Sequence, residues 1–383
     1  MKNQIQLINA NHCRAVTITV TKMIKEACKS FFTPVFVMIV LLGLSPVFSS
    51  CKQDEKAVLA AYKLRIDGKV DEAKNQLEQI LKEDSTNALA HYELARTLNY
   101  INLFGSEEAT KALISAKTLE PENVIYQYAY AKNCFFETFK AMQMGDGDIK
   151  ELLGKTCDEF DNVLNMAPAY PEAMMYLVEI YGILPPEMGG NKAKAEEYTK
   201  RLEKADNFYG AKARLVMMPQ GTDMVQYWKD YITQNGENCG ALKELGVAAL
   251  FNDDIETAKV YFEKAMELDP VQNIRLLDLS RYHQMKVMQN RELVEQELPK
   301  AKEYIEQYLQ STPAPIAPLK AYAVGSEARI AKFLGNNDEA EKLMEEAKAL
   351  DPHFSQAFGI PWLSIFEPPT QEDHFFASFF SPF

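Results

Sequence analysis

From about residue 55 onward apolar residues recur every three or four positions, the spacing that lines one face of an α-helix. In "LAAYKLRIDGKVDEAKNQLEQILKEDS" the apolar set Ala61, Ala73, Leu77 and Ile80 is split by Gly68. This predicts two amphipathic helices joined at a glycine turn. The next stretch repeats the arrangement with Leu94, Ala95, Leu98, Ala109, Leu113 and Ala116, ending at Pro121. The period of two that marks a half-buried strand does not compete anywhere along this region. Projected along the chain, the pattern predicts about seven or eight helix pairs between Asp54 and Pro352, each burying its apolar face on its neighbours.

The clearest unit is "CGALKELGVAALFNDDIETAKVYFEKAMELDP", Cys239 to Pro270. Small residues at Gly246, Ala258 and Ala265 allow close approach of two antiparallel helices, and Leu245 and Phe262 fill the space between them. With Leu242, Ala249 and Pro270 these positions resemble the tetratricopeptide repeat, with leucine where the initial aromatic is usual. A second unit, "FLGNNDEAEKLMEEAKALDP", supplies Gly335, Ala340, Met344, Ala347 and Pro352 in the same order. The resemblance implies an all-α, TPR-type α-solenoid over residues 51–353, coiled as a right-handed superhelix.

The middle is less regular. "MQMGDGD" and "LPPEMGGN" fall between helices, and Asn191 is placed to cap the helix that follows. Tyr209 to Gln234 reads as a short pair and Val271 to Gln310 as a long one. The prolines of "STPAPIAPLKAY" mark a turn between pairs. Beyond His353 the composition changes: residues 354–383 are rich in Phe and Pro. They suit an irregular aromatic cap over the last helices, since an array must cover its terminal face, or a docking segment for a partner.

At the other end, Phe31 to Ser50 is uncharged, follows Lys22, Lys25 and Lys29, and ends in small residues. That is the layout of a signal peptide over residues 1–50, with Met23 as an alternative start. An uncleaved membrane anchor is the competing reading, as about 18 apolar residues can just span a bilayer. The junction "VFSSC" resembles the lipobox of bacterial lipoproteins, although Phe48 stands where a smaller aliphatic residue is usual. The resemblance implies acylation of Cys51 and an outer-membrane location, on the periplasmic face or the cell surface, in a Gram-negative bacterium. "KQDE" after Cys51 resembles an acidic sorting tetrad and reads equally as a charged linker.

Removal of the leader leaves 36 basic residues against 53 acidic ones. So negative a surface repels phosphate backbones and argues against nucleic acid as a partner. Cys134, Cys157 and Cys239 remain as widely spaced thiols, without CxxC or a paired histidine, so they read as small apolar packing residues rather than metal ligands.

No catalytic motif surrounds His91, His283, His353 or His374. Asp146 and Asp148 in "MGDGDIKE" lack the full ligand set of a calcium loop. "MGGNKAKA", with Lys192 and Lys194, offers an anion site at a helix N-terminus or an ordinary turn. Neither enzyme chemistry nor a cofactor or metal is expected. The first helices of successive pairs instead place Tyr62, Arg65, Tyr92, Arg96, Asn99, Tyr128, Lys132 and Phe135 along one groove. Tyrosine rings stack and guanidinium groups donate hydrogen bonds, which suits an extended peptide or a sugar. The expected function is a lipid-anchored scaffold or assembly factor binding a protein partner in the envelope. The alternative is capture of a glycan or small ligand for nutrient uptake.

Overall fold

The computed structural model describes residues 55–102 and 106–354. The predicted leader, the lipidation residue Cys51 and the tail from residue 355 onward lie outside the described residues. The described residues from 58 onward belong to one compact unit. Apart from the opening turn of the first helix, the elements below belong to residues 58–361.

Helices fill the described residues. The amino-terminal half comprises α1 (55–66), α2 (Val70–Glu83), α3 (Ala88–Ile101), α4 (Glu107–Leu119), α5 (Val124–Met144), α6 (Ile149–Met166), α7 (Pro171–Ile183) and α8 (Lys192–Ala205). The carboxyl-terminal half comprises α9 (Asn207–Val216), α10 (Met224–Asn235), α11 (Cys239–Phe251), α12 (Ile255–Leu268), α13 (Arg275–Gln289), α14 (Val294–Leu309), α15 (Ala317–Phe333) and α16 (Asn337–Leu350). Odd-numbered helices pack against the even-numbered helices that follow, as the repeat pattern predicts, with α9 and α10 as the departure.

Short polar residues start many of these helices, because the first turn leaves backbone N–H groups without partners. Asn87, Ser106, Asp148, Asn238 and Asp254 each accept a hydrogen bond from the N–H three residues on. Each such cap contributes about 1 kcal/mol. Asn191 caps α8 as the sequence suggests, accepting from Ala193 and Lys194 at 3.1 Å each.

First and second helices are buried differently. Among the second helices, α2 buries only Val70, Ala73 and Leu77, and α12 only Ala258, Phe262 and Ala265, a single stripe each. First helices lie between their own partner and the preceding pair, so whole turns are inaccessible: Tyr126 to Ala131 in α5, Arg275 to Ser280 in α13 and Ala321 to Ala328 in α15. A helix buried on every side must satisfy its polar side chains internally, and that requirement shapes the candidate site.

The predicted short pair is the one local departure. α9 packs on α7 and α8, whereas α10 packs on α11. The two meet chiefly through side chains, with the Tyr227 hydroxyl donating to the Ala211 carbonyl at 2.8 Å. A second feature is absent from the repeat pattern: the last hairpin touches the first two, with Asp351 hydrogen-bonded to Tyr100 of α3 and His353 to Asp71 of α2.

Candidate functional site

The three helices that open the array bring the predicted groove residues together. Tyr62 and Arg65 stand on α1, Tyr92, Arg96 and Asn99 on α3, and Tyr128, Lys132 and Phe135 on α5. Within each helix the tyrosine and the cation are three or four residues apart, which places them on one face. Arg65 lies 5.4 Å from the Tyr62 ring centre, Arg96 5.6 Å from that of Tyr92 and Lys132 5.9 Å from that of Tyr128.

The row is organised around a residue that sequence reasoning passed over. Glu93 is fully buried, yet its carboxylate accepts from Arg65 Nε at 2.7 Å and from Arg96 Nη1 at 3.2 Å. A carboxylate buried alone would be costly, and two charge-assisted hydrogen bonds offset that cost while tying α1 to α3. The only sequence signal was Glu93 three residues before Arg96. Farther along, Asn99 donates to Asn133 at 3.3 Å, and Asn133 donates to Thr110 at 2.9 Å, linking α3, α4 and α5.

The rings are less accessible than a stacking groove requires. Tyr62, Tyr92 and Tyr128 are all buried, while Arg65, Arg96, Asn99, Lys132 and Phe135 are half-buried. Tyr92 packs against Tyr126 with ring centres 5.0 Å apart, and Tyr128 against Tyr170 at 4.9 Å. Burial raises the Tyr62 phenol above its ordinary value, against the opposing pull of Arg65 and Arg96. The Tyr62 phenol therefore stays neutral at physiological pH and offers an apolar face and a hydroxyl, not charge.

A related cluster lies on α13 and α15. Asp278 accepts from Arg275 at 2.7 Å and lies 3.5 Å from Arg281, and Arg281 Nε donates to the Tyr322 hydroxyl at 2.7 Å. Close by on α13, buried His283 meets Glu297 of α14 at 2.5 Å and stacks on Tyr304. Burial depresses the His283 imidazole despite that carboxylate. Lys300 also donates to Glu297 at 3.0 Å, so the acid is shared between two bases in a structural network.

Other candidate motifs serve local structure. The Asp148 carboxylate caps α6, and the Gly145 turn before it closes α5 in the left-handed region at φ 67°. His91 bonds the Ser85 carbonyl at 3.0 Å. Cys134 and Cys157 are buried thiols, and burial pushes Cys157 up to about 11. Among the described residues no cluster of His, Cys, Asp and Glu could hold a metal ion.

The tetratricopeptide repeat family model matches residues 244–272 and 323–354, which span α11/α12 and α15/α16. No curated protein matches the sequence. Similar solved structures include a thermophilic TPR protein of Thermus thermophilus, 15% identical, with a TM-score of 0.36 over 58% of this chain and 96% of that one. A tetratricopeptide repeat protein of Parabacteroides merdae is 12% identical, with a TM-score of 0.34 over 78% and 93%. PilW, a type IV pilus biogenesis factor, is 16% identical, with a TM-score of 0.30 over 68% and 92%. At such identities and scores these likenesses identify no partner. In the first matched unit Gly246 accommodates the Phe262 ring, the small-to-large packing that the repeat requires. Two of its hairpins, α11/α12 and α15/α16, are tetratricopeptide repeats, and the described residues fold as an all-α solenoid of helical hairpins.

Proposed function

We propose that the chain is a non-enzymatic scaffold of the Gram-negative cell envelope, tethered through acylated Cys51 and binding an extended segment of a protein partner along its first helices. The observation that carries the binding half is the row of tyrosines and cations on α1, α3 and α5, the first two of which are tied through Glu93. Half-buried Arg65, Arg96, Asn99, Lys132 and Phe135 supply donors and apolar surface at the spacing of successive hairpins. The formal charge of the mature chain favours a protein partner over nucleic acid. The tether rests on the uncharged leader and the Ser49-Ser50-Cys51 junction.

Two experiments test these halves separately. Affinity capture with the solubilised protein should recover a defined envelope protein, and Lys132→Glu should weaken that capture while leaving the melting temperature close to wild type. Lys132 is the variant of choice because Arg65 and Arg96 also neutralise a buried carboxylate. Retention of the partner at wild-type strength would remove this face from the binding site. For the tether, metabolic labelling with a fatty acid should tag the wild type and spare Cys51→Ser; equal labelling of both would disprove it.

A further inference from the structure

The end-to-end contact has no counterpart in a stack of repeats whose units touch only sequence neighbours. Gly68 closes the α1/α2 turn in the left-handed region at φ 79° and is buried. A Cβ at this position would sit 1.9 Å from the Leu350 carbonyl oxygen at the end of α16 and 3.3 Å from the Ala317 Cβ at the start of α15. Backbone therefore meets backbone between residues at opposite ends of the array. Such an approach admits glycine alone.

Polar groups surround this approach. Asp351 is inaccessible to solvent; one carboxylate oxygen accepts from the His353 N–H at 2.8 Å, and the other accepts from the Tyr100 hydroxyl of α3. The His353 ring reaches Asp71 on α2 at 3.1 Å. Phe354 then packs on Ala321, Val324 and Ala347 and fixes the position of this turn. Tyr100 also lies within the field of Arg65.

The chemistry of the contact differs from that within hairpins. α15 and α16 bury Val324, Ala347 and Leu343 against each other, whereas the contacts described between the ends include two hydrogen bonds and one close approach of backbone. Hydrogen bonds exchange readily for water, so each contributes far less net free energy than its strength in isolation.

We propose that this contact is a releasable clasp that closes the array head to tail, and that its release bares Tyr100. This proposal does not depend on the identity of a partner. It makes the solenoid a two-state element, so a segment with affinity only for the open form would shift the equilibrium toward release.

The test compares two glycine substitutions in the full chain. Gly68 and Gly145 both have positive φ, but a Cβ on Gly145 meets nothing within 4 Å. Gly68→Ala and Gly145→Ala thus carry similar backbone strain, and only the first drives the ends apart. Lys69 and Lys348 flank the contact and are exposed. A short amine-reactive cross-linker should join them within one molecule in the wild type and in Gly145→Ala. In Gly68→Ala the cross-link should fall several-fold, and hydroxyl-radical labelling of Tyr100 should rise. Tyr100→Phe, which deletes the hydroxyl alone, should weaken the cross-link in the same direction and guards against a folding defect in Gly68→Ala. Equal cross-link yield in all four proteins would overturn the clasp, as would a wild-type cross-link formed only between molecules.

Discussion

The α11/α12 hairpin and the α9/α10 region are neighbours built from helices of similar length, yet one pairs with itself and the other does not. In α11/α12 a Cβ on Gly246 would lie 2.4 Å from the Phe262 ring, so the missing side chain is the socket for that ring. In α9 the glycine faces the other way: a Cβ on Gly210 would lie 2.6 Å from the Glu203 Cα of α8. The Phe208 ring of α9 occupies the space over Gly240 of α11 in the same manner. α9 is thus wedged between the preceding hairpin and the following one, and α10 turns to α11, where buried Trp228 packs with Ala241, Leu245 and Ala248. Pairing follows where the small residues face, not the order of helices along the chain.

Removing the ring from its socket should produce the largest change. Phe262 is fully buried against Gly246, Ala249 and Ala258, and Phe262→Ala leaves a cavity that the rigid hairpin cannot close. The expected loss is about 3–5 kcal/mol in chemical denaturation. A loss below about 1 kcal/mol, no more than an ordinary substitution costs, would mean that α11 and α12 are not held together by this fit.

The seam responds to the opposite change. Gly210→Ala puts a methyl group against α8 backbone, which cannot rotate away as a side chain would, so a loss of about 1–3 kcal/mol is expected from overpacking. The Arg214 ion pairs to Glu196 and Glu203, at 2.8 and 2.9 Å, span the same interface. They should weaken as the helices separate. Gly154 in α6 is the contrasting case, exposed and with nothing near its Cβ direction. Gly154→Ala should stabilise by roughly 0.5–1 kcal/mol, the difference in helix propensity. If both substitutions shift the midpoint alike, close approach does not distinguish α9.

How much of this was legible in the sequence follows from the same physics. Gly246, Phe262 and Ala265 are all placed by the period of one helix pair, so α11/α12 was readable, and so were the cap at Asn191 and the hairpin bounds. Gly210 carried no such sign, because the residue it accommodates belongs to α8 and not to the helix that follows. Glu93 was hidden in the same way: the partner that makes its burial tolerable, Arg65, is 28 residues away on another helix. The spacing of the groove residues within each helix was legible. Their burial was not readable, since it depends on what packs against that face from neighbouring pairs.

Regular pairing also has a cost that the seam does not share. Because α15 is enclosed, Glu327 is buried between α14 and α16, facing Lys302 but also Glu306, Glu339 and Glu346. Burial is the largest influence, and it raises the Glu327 carboxyl to about 7. Lys302 opposes this but is outweighed, and it is also engaged with Glu339 at 2.9 Å. The folded state therefore holds a proton that the unfolded chain releases near its ordinary value of 4.5. Stability from this group is fully present below that value and is lost as pH rises through about 7. Glu327→Gln keeps the shape and removes the titration. Relative to wild type, its melting temperature should climb between about pH 5 and pH 8, the window that brackets the raised carboxyl, with Gly210→Ala as a parallel variant whose difference stays flat. A Glu327→Gln difference that is also flat across that range would mean the enclosed first helix pays nothing for its carboxylate.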